Sequence, residues 1–232
     1  MQLAIIRRTD KMDPVREAFV VAATNQQLRE HFAPAWKGHL PVDDQHWPIV
    51  GYDGVPNADS SEYHPMYVLD SIGVADALGF HDDAFGLIYG RIRADSTDEC
   101  WGHESMEMRA DPTCDGWMPM PDGRQIALEV CDPVEADLYP VKVSIAGDER
   151  TVMVSNFVLP SYFVPGSSGP WDYMGRLPGP FTMTDGGYMV VRERDGNEHE
   201  VFAARGNVAR FAAKQVDPVS RVARRLRKAV SP

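Results

Sequence analysis

The sequence predicts an α+β domain built around one helix that carries metal-binding residue types. Three observations predict it. Candidate elements run strand, helix, several strands, helix, and then strands again, an α+β order. From about Tyr139 onward the chain is β-rich and broken by many turns. Between the two comes Gly102-His103-Glu104-Ser105-Met106-Glu107, which spaces a histidine and a glutamate one helical turn apart.

The elements follow in order. Residues 2–8 are rich in Leu and Ile and read as a strand. Asp13-Pro14 supplies an N-cap followed by proline at the first helical position. Val15, Phe19, Ala22, Ala23 and Leu28 then lie near a helical stripe that runs through Arg29. Ala33-Pro34-Ala35-Trp36 should end that helix. His46–Tyr52 and Met66–Asp70 read as strands, with a polar loop from Pro56 to Pro65 between them. Ala77–Asp83 reads as a glycine-containing turn, and Gly86–Arg93 as a strand. Acidic residues from Asp95 to Glu99 suit a helix N-terminus; the helix spans Cys100–Ala110, and Asp111-Pro112 stops it. Ile126–Cys131 is a short apolar run interrupted by Glu129. Strands follow at Val141–Ile145, Thr151–Leu159 and Tyr188–Arg194, and the glycines and prolines of 166–180 make that segment a loop.

Composition narrows the function. The chain has 232 residues, 44% of them hydrophobic and 25% charged, which is ordinary globular material. The net charge of −11 gives a surface that does not attract nucleic acid. Arg205 to the C-terminus departs from this, with many Lys and Arg and only Asp217 as an acid. Its stretch from Val219 to Val230 reads as a solvated terminal helix, or as an anchor on an acidic partner. No apolar run is long enough for a membrane helix, and the N-terminus lacks the pattern of a secretory signal. A soluble protein of the cytoplasm or of a virion is expected. Cys100, Cys114 and Cys131 form no CxxC pair and read as small buried thiols. The loop Gly166-Ser167-Ser168-Gly169 lacks the lysine and helix of a phosphate loop. A Gly-x-Ser-x-Gly elbow is absent, which argues against that type of serine hydrolase.

His103 and Glu107 share one helix face and can share one metal ion. Glu104 stands where the general base sits in an HExxH metallohydrolase, although here the motif is HExxE. Asp111 continues the His103–Glu107 face, and Glu129 and Asp132 form a second acidic pair. The candidate metal ligands are therefore His103, Glu107, Glu129, Asp132 and Asp111, with Glu104 as catalytic base. One imidazole with several carboxylates takes zinc most readily here, but also manganese, iron(II) or calcium. The same residues also fit an exposed acidic helix without a metal. His81-Asp82-Asp83 offers a second metal site or, preferably, a solvated turn. Trp117 and Trp171 read as packing anchors.

Gly102 through Pro112, then Trp117, then Glu129-Val130-Cys131-Asp132-Pro133 resemble a pattern found in the plant EXORDIUM (phosphate-induced) family. The pattern also occurs in bacterial and tailed-phage proteins with a zincin-like core. Ala77–His81, Val154–Pro160 and Gly186-Gly187-Tyr188 fit the same group, so the resemblance covers about residues 30 to 190. It implies a zincin-like core, a mixed sheet plus a metal-site helix. It also implies Glu129 as third ligand and Asp132 as an outer carboxylate that orients His103. Glu107 departs from the peptidases, which carry a second histidine there.

The expected organisation is a core over 1–138, a β-rich continuation over 139–204 and a basic tail over 205–232. Two functions stand. One is a metal-dependent hydrolase acting on a peptide or protein, or a catalytically lapsed derivative of one. The other is a structural component of a tailed-phage particle, held to neighbouring subunits by the tail and the 166–180 loop. In a third, a bound ion only staples loops together.

Overall fold

The structure is a computed structural model that describes residues 2–40, 49–52, 63–74, 77–84 and 87–203. The basic segment 205–232 and most of the loop expected at 56–65 lie outside the described residues.

Strands β1 (Gln2–Arg7), β2 (Ile49–Tyr52), β3 (Tyr63–Leu69), β4 (Gly79–Ala84) and β5 (Leu87–Arg93) form a five-stranded sheet in the order β2-β1-β3-β5-β4. Neighbours pair in parallel except β4, which runs antiparallel to β5 at the edge. Leu3, Ala4, Ile5 and Ile6 are all buried, as in a strand covered on both faces. Pro65 stands within β3, where a loop was expected. Pairing of β3 with β5 begins only at Met66, so the N–H that proline lacks has no partner strand to serve there.

The expected turn at 77–83 is in fact mostly β4. Its residues pair with β5 from Gly79 opposite Ile92 to Ala84 opposite Leu87. Gly79 serves close approach rather than turning. A Cβ there would lie 2.8 Å from Cys100 Sγ and 2.9 Å from Glu104 Cγ, so a bare backbone lets the following helix sit against the edge strand.

Helix α1 (Pro14–Gln26) starts as its sequence demands, with the Asp13 carboxylate accepting the Val15 N–H at 2.9 Å. It ends over Ala33–Trp36, as the sequence predicts, with Trp36 as the C-cap. A π-helical stretch, Gln27–Phe32, carries it into a last turn, α2 (Ala33–Ala35), where the Ala33 N–H reaches back to Leu28 O. Pro34 has no N–H to give, so the wider turn passes over it without an orphaned donor. Helix α3 (Glu99–Ala110) follows β5 and stops at Asp111.

The C-terminal half adds β6 (Trp117–Pro119), β7 (Gln125–Ala127), β8 (Leu138–Ile145), β9 (Asp148–Ser155), β10 (Tyr188–Arg192) and β11 (Glu198–Phe202). β8 and β9 form a hairpin, and the others form a sheet in the order β11-β10-β7-β6. The hairpin packs on α1 and α3, so both helices lie between it and the five-stranded sheet. One hydrophobic core joins Leu3, Phe19, Met66, Ile92, Trp101, Met108, Val141, Val154, Tyr162 and Val191, and so crosses residue 138. The three cysteines are free and buried. No helix of the described residues is long and apolar enough to cross a membrane.

The 166–180 loop is irregular but firmly held. The Asp172 carboxylate, fully buried, accepts from Asn156 Nδ2 at 2.8 Å, Arg176 N at 3.1 Å and Leu177 N at 2.8 Å. Asp172→Ala should cost about 3 kcal/mol, because it strands buried donors that a carboxylate had satisfied. Denaturant titration measures this, and a loss below about 1 kcal/mol would deny the carboxylate that role.

Candidate metal centre

Helix α3 is polar in sequence, yet every residue from Cys100 to Ala110 is buried. Burial on all sides normally demands an apolar helix. Here it encloses His103, Glu104, Glu107 and Arg109, and an enclosed charge costs several kcal/mol unless it is paired. The polar face must therefore be matched by groups from other elements, and those groups form the site.

His103 Nε2 lies 3.2 Å from Glu107 Oε2 one turn on, as the spacing predicted. It also lies 3.2 Å from Asp132 Oδ1. Asp132 opens a short 3₁₀ turn (Asp132–Val134), which proline at its second position helps to set. Glu129 arrives on the irregular segment between β7 and that turn. Glu107 Oε1 is taken by the Cys131 backbone N–H at 3.1 Å, which points Oε2 into the cluster. Cys131 Sγ sits 3.8 Å from His103 O.

His81, which the sequence offers as a second metal site or preferably as part of a solvated turn, joins this same cluster. It sits within β4, 3% exposed, on the face turned to α3. Its Nδ1 is 3.6 Å from Glu104 Oε2 and 3.9 Å from Glu107 Oε2, and its Nε2 is 4.0 Å from Glu129 Oε2. Nε2 is also 3.2 Å from the Asp111 carbonyl. A carbonyl only accepts, so that contact puts a proton on Nε2 and makes Nδ1 the nitrogen that faces the two glutamates, as a donor when the ring is charged and as a lone pair when it is neutral. Strand alternation was the signal that could have found it: in Gly79-Phe80-His81, His81 falls on the same face as Gly79.

The remaining candidates divide. Glu104 is brought into the cluster through His81. Asp111 enters it through its backbone carbonyl, while its carboxylate is occupied. Oδ1 accepts the Asp115 N–H at 3.2 Å and the Gly116 N–H at 3.0 Å, and Oδ2 accepts Gly116 N–H at 3.0 Å. Asp132 faces the same ring nitrogen of His103 as Glu107 does, which places it beside the ligand atom rather than behind the ring. Tyr188, from the start of β10, donates its phenol to Asp132.

Electrostatics follow from this crowding. Burial and then Asp132 push the Glu107 carboxyl up to about 8, with His103 opposing. Burial disfavours charge on His103, but Glu107 and Asp132 outweigh it and hold the imidazole well above its usual range. His81 is raised likewise, with burial opposed by Cys114, Glu104 and Glu129. Burial and the surrounding carboxylates push the Cys131 thiol up. The centre as built has a surplus of carboxylate and draws in protons to relieve it.

Two donor sets close to within 4.8 Å: His103, Glu107 and Cys131, and His81, Glu107 and Glu129. Imidazole nitrogen, carboxylate oxygen and one thiol suit a divalent transition metal better than an all-oxygen cation such as calcium. The residues thus fit the group that the sequence pattern implied.

No family model, curated protein or solved structure matches the chain.

Proposed function

We propose that the protein is a zincin-like metalloprotein whose α3–β4–Asp132 centre binds a divalent transition metal. The observation that carries this is the surplus of buried carboxylate. Glu104, Glu107, Glu129 and Asp132 surround two imidazoles in a space largely closed to bulk water. A cation relieves that repulsion, and protons relieve it only at the cost of lifting Glu107 far from its usual range. A mixed sheet with α3 directly after β5 supports the zincin-like reading.

When bound, such a metal supplies Lewis acidity and lowers the pKa of a coordinated water. Glu104 stands at the edge of the cluster, and in a hydrolase it would accept the proton from that water. His103 and Glu129 are the centre's outermost side chains, at 8% and 9% residue exposure, so any substrate must approach along them. That near closure favours a second reading, in which the ion staples α3, β4 and the Asp132 turn without turnover. A structural subunit, as in a tailed-phage particle, would use it so.

Elemental mass spectrometry of natively purified protein separates these. Bound transition metal is expected in the wild type and in Glu104→Gln, and reduced in His103→Ala. Cleavage of a peptide library that is lost in Glu104→Gln with metal retained marks a hydrolase. Metal without cleavage marks the structural role. Metal absent from every preparation, and not taken up from excess, would remove the metalloprotein reading.

A further inference from the structure

We infer that the centre holds two metal ions with Glu107 between them, a deepening that rests on the metalloprotein reading. Each histidine belongs to one donor set only, and Glu107 belongs to both. A metal–ligand bond is about 2.0–2.1 Å, so two ligands of one ion lie at most about 4.2 Å apart. His103 Nε2 and His81 Nδ1 both lie near the same atom, Glu107 Oε2, at 3.2 Å and 3.9 Å, yet the two histidines share no donor set.

The flanking groups repeat the division. Asp132 lies 3.2 Å from His103 Nε2, and Cys131 completes that half. Glu104 lies 3.6 Å from His81 Nδ1, and Glu129, 4.0 Å from Nε2 of the same ring, belongs to the same donor set. Each position therefore has one imidazole, a share of Glu107 and at least one further carboxylate. The His81 tautomer is set for its position by the Asp111 carbonyl, the backbone partner that ligating histidines characteristically have.

Charge counts toward the same stoichiometry. The carboxylates of Glu104, Glu107, Glu129 and Asp132 carry four negative charges when ionised, which two divalent ions match, and a ligating Cys131 thiolate adds one more beyond that count. One ion leaves two buried charges to be met by protons. Two ions bridged by a carboxylate typically lie about 3.5–4 Å apart and can clamp one oxygen between them, which suits hydrolysis of an ester, amide or phosphoester.

The test is titration of chelator-stripped protein with Mn2+ alone, followed by calorimetry and electron paramagnetic resonance. The expected result is two equivalents bound, with an exchange-coupled multiline signal appearing at the second. His81→Ala and His103→Ala should each bind one equivalent and show only an uncoupled signal. Circular dichroism and thermal melts on both variants establish that they fold. Wild-type titration needs no variant, so the result stands if either variant fails to fold. Saturation at one equivalent without coupling overturns the two-ion inference and leaves the metalloprotein reading in place. No binding at all overturns both.

Discussion

Stripped of metal, the protein is expected to lose stability as pH rises from about 6.5 to 8, whereas the metal-loaded protein gains it. Glu107 titrates near 4.5 in an unfolded chain and near 8 in the fold. Across that interval the native state binds a proton that the unfolded state has released. Stability falls with pH wherever the native state binds more protons. His103 and His81, both raised above 6.5, act in the same sense. The stability they contribute is complete below 6.5 and is lost as pH climbs through their raised values. His31 and His64 are lowered by burial and act oppositely, but only below about 6.5, where the unfolded chain protonates them. The window above 6.5 therefore isolates the centre. A shift of one pKa unit is about 1.36 kcal/mol, so a group moved as far as Glu107 changes stability by several kcal/mol across its range.

Metal binding reverses the slope. Each ligand must shed its proton to coordinate, so affinity rises with pH and adds to the stability of the loaded form. The gap between loaded and stripped melting temperatures should widen steadily between pH 6.5 and 8. Thermal melts in chelator and in excess Zn2+ at several pH values measure this. A stripped protein that grows more stable across the window would mean that the carboxylates of the cluster are already compensated without metal.

The part of the centre carried by one helix was legible in the sequence. His103, Glu104 and Glu107 share a face because a helix repeats every 3.6 residues, and Asp111-Pro112 ends it where proline forbids continuation. Glu129 and Asp132 were legible as residue types but not as geometry. Their approach depends on β7, the Asp132 turn and β10 meeting, and no local pattern encodes that. His81 was misread for a physical reason. A glycine followed by polar residues resembles a turn, yet Gly79 is there to let α3 lie against the strand, and the polar residues after it are paired in β4. Antiparallel pairing with the next strand, β5, supplies a context that the local residue types do not, and it overrode their preference. The helix end at Ala33–Trp36 was legible, whereas the π-helical stretch before it is invisible to a 3.6-residue pattern.

Gly187→Ala should destabilise the protein by about 3 kcal/mol or more and weaken metal binding with it. A Cβ at position 187 would lie 2.1 Å from Pro133 O and 2.6 Å from Pro133 C. These are backbone atoms in the 3₁₀ turn that carries Asp132, so no rotamer change can relieve the clash. The turn is tied on both sides. Thr184 N donates to Pro133 O at 3.1 Å, and Val134 N donates to Cys131 O at 3.1 Å. Either the turn moves away from β10, taking Asp132 from His103, or β10 moves, taking Tyr188 from Asp132. Both displacements open the same half of the centre. The half built on His81 draws on β4 and α3, with only Glu129 from the segment before the turn, and should keep its ion. Chemical denaturation together with metal titration reads both consequences at once. A variant as stable as the wild type would show that the chain at 187 yields more freely than its contacts with Pro133 allow. A destabilised variant with undiminished metal uptake would instead show that Asp132 is not needed to hold the ion at His103.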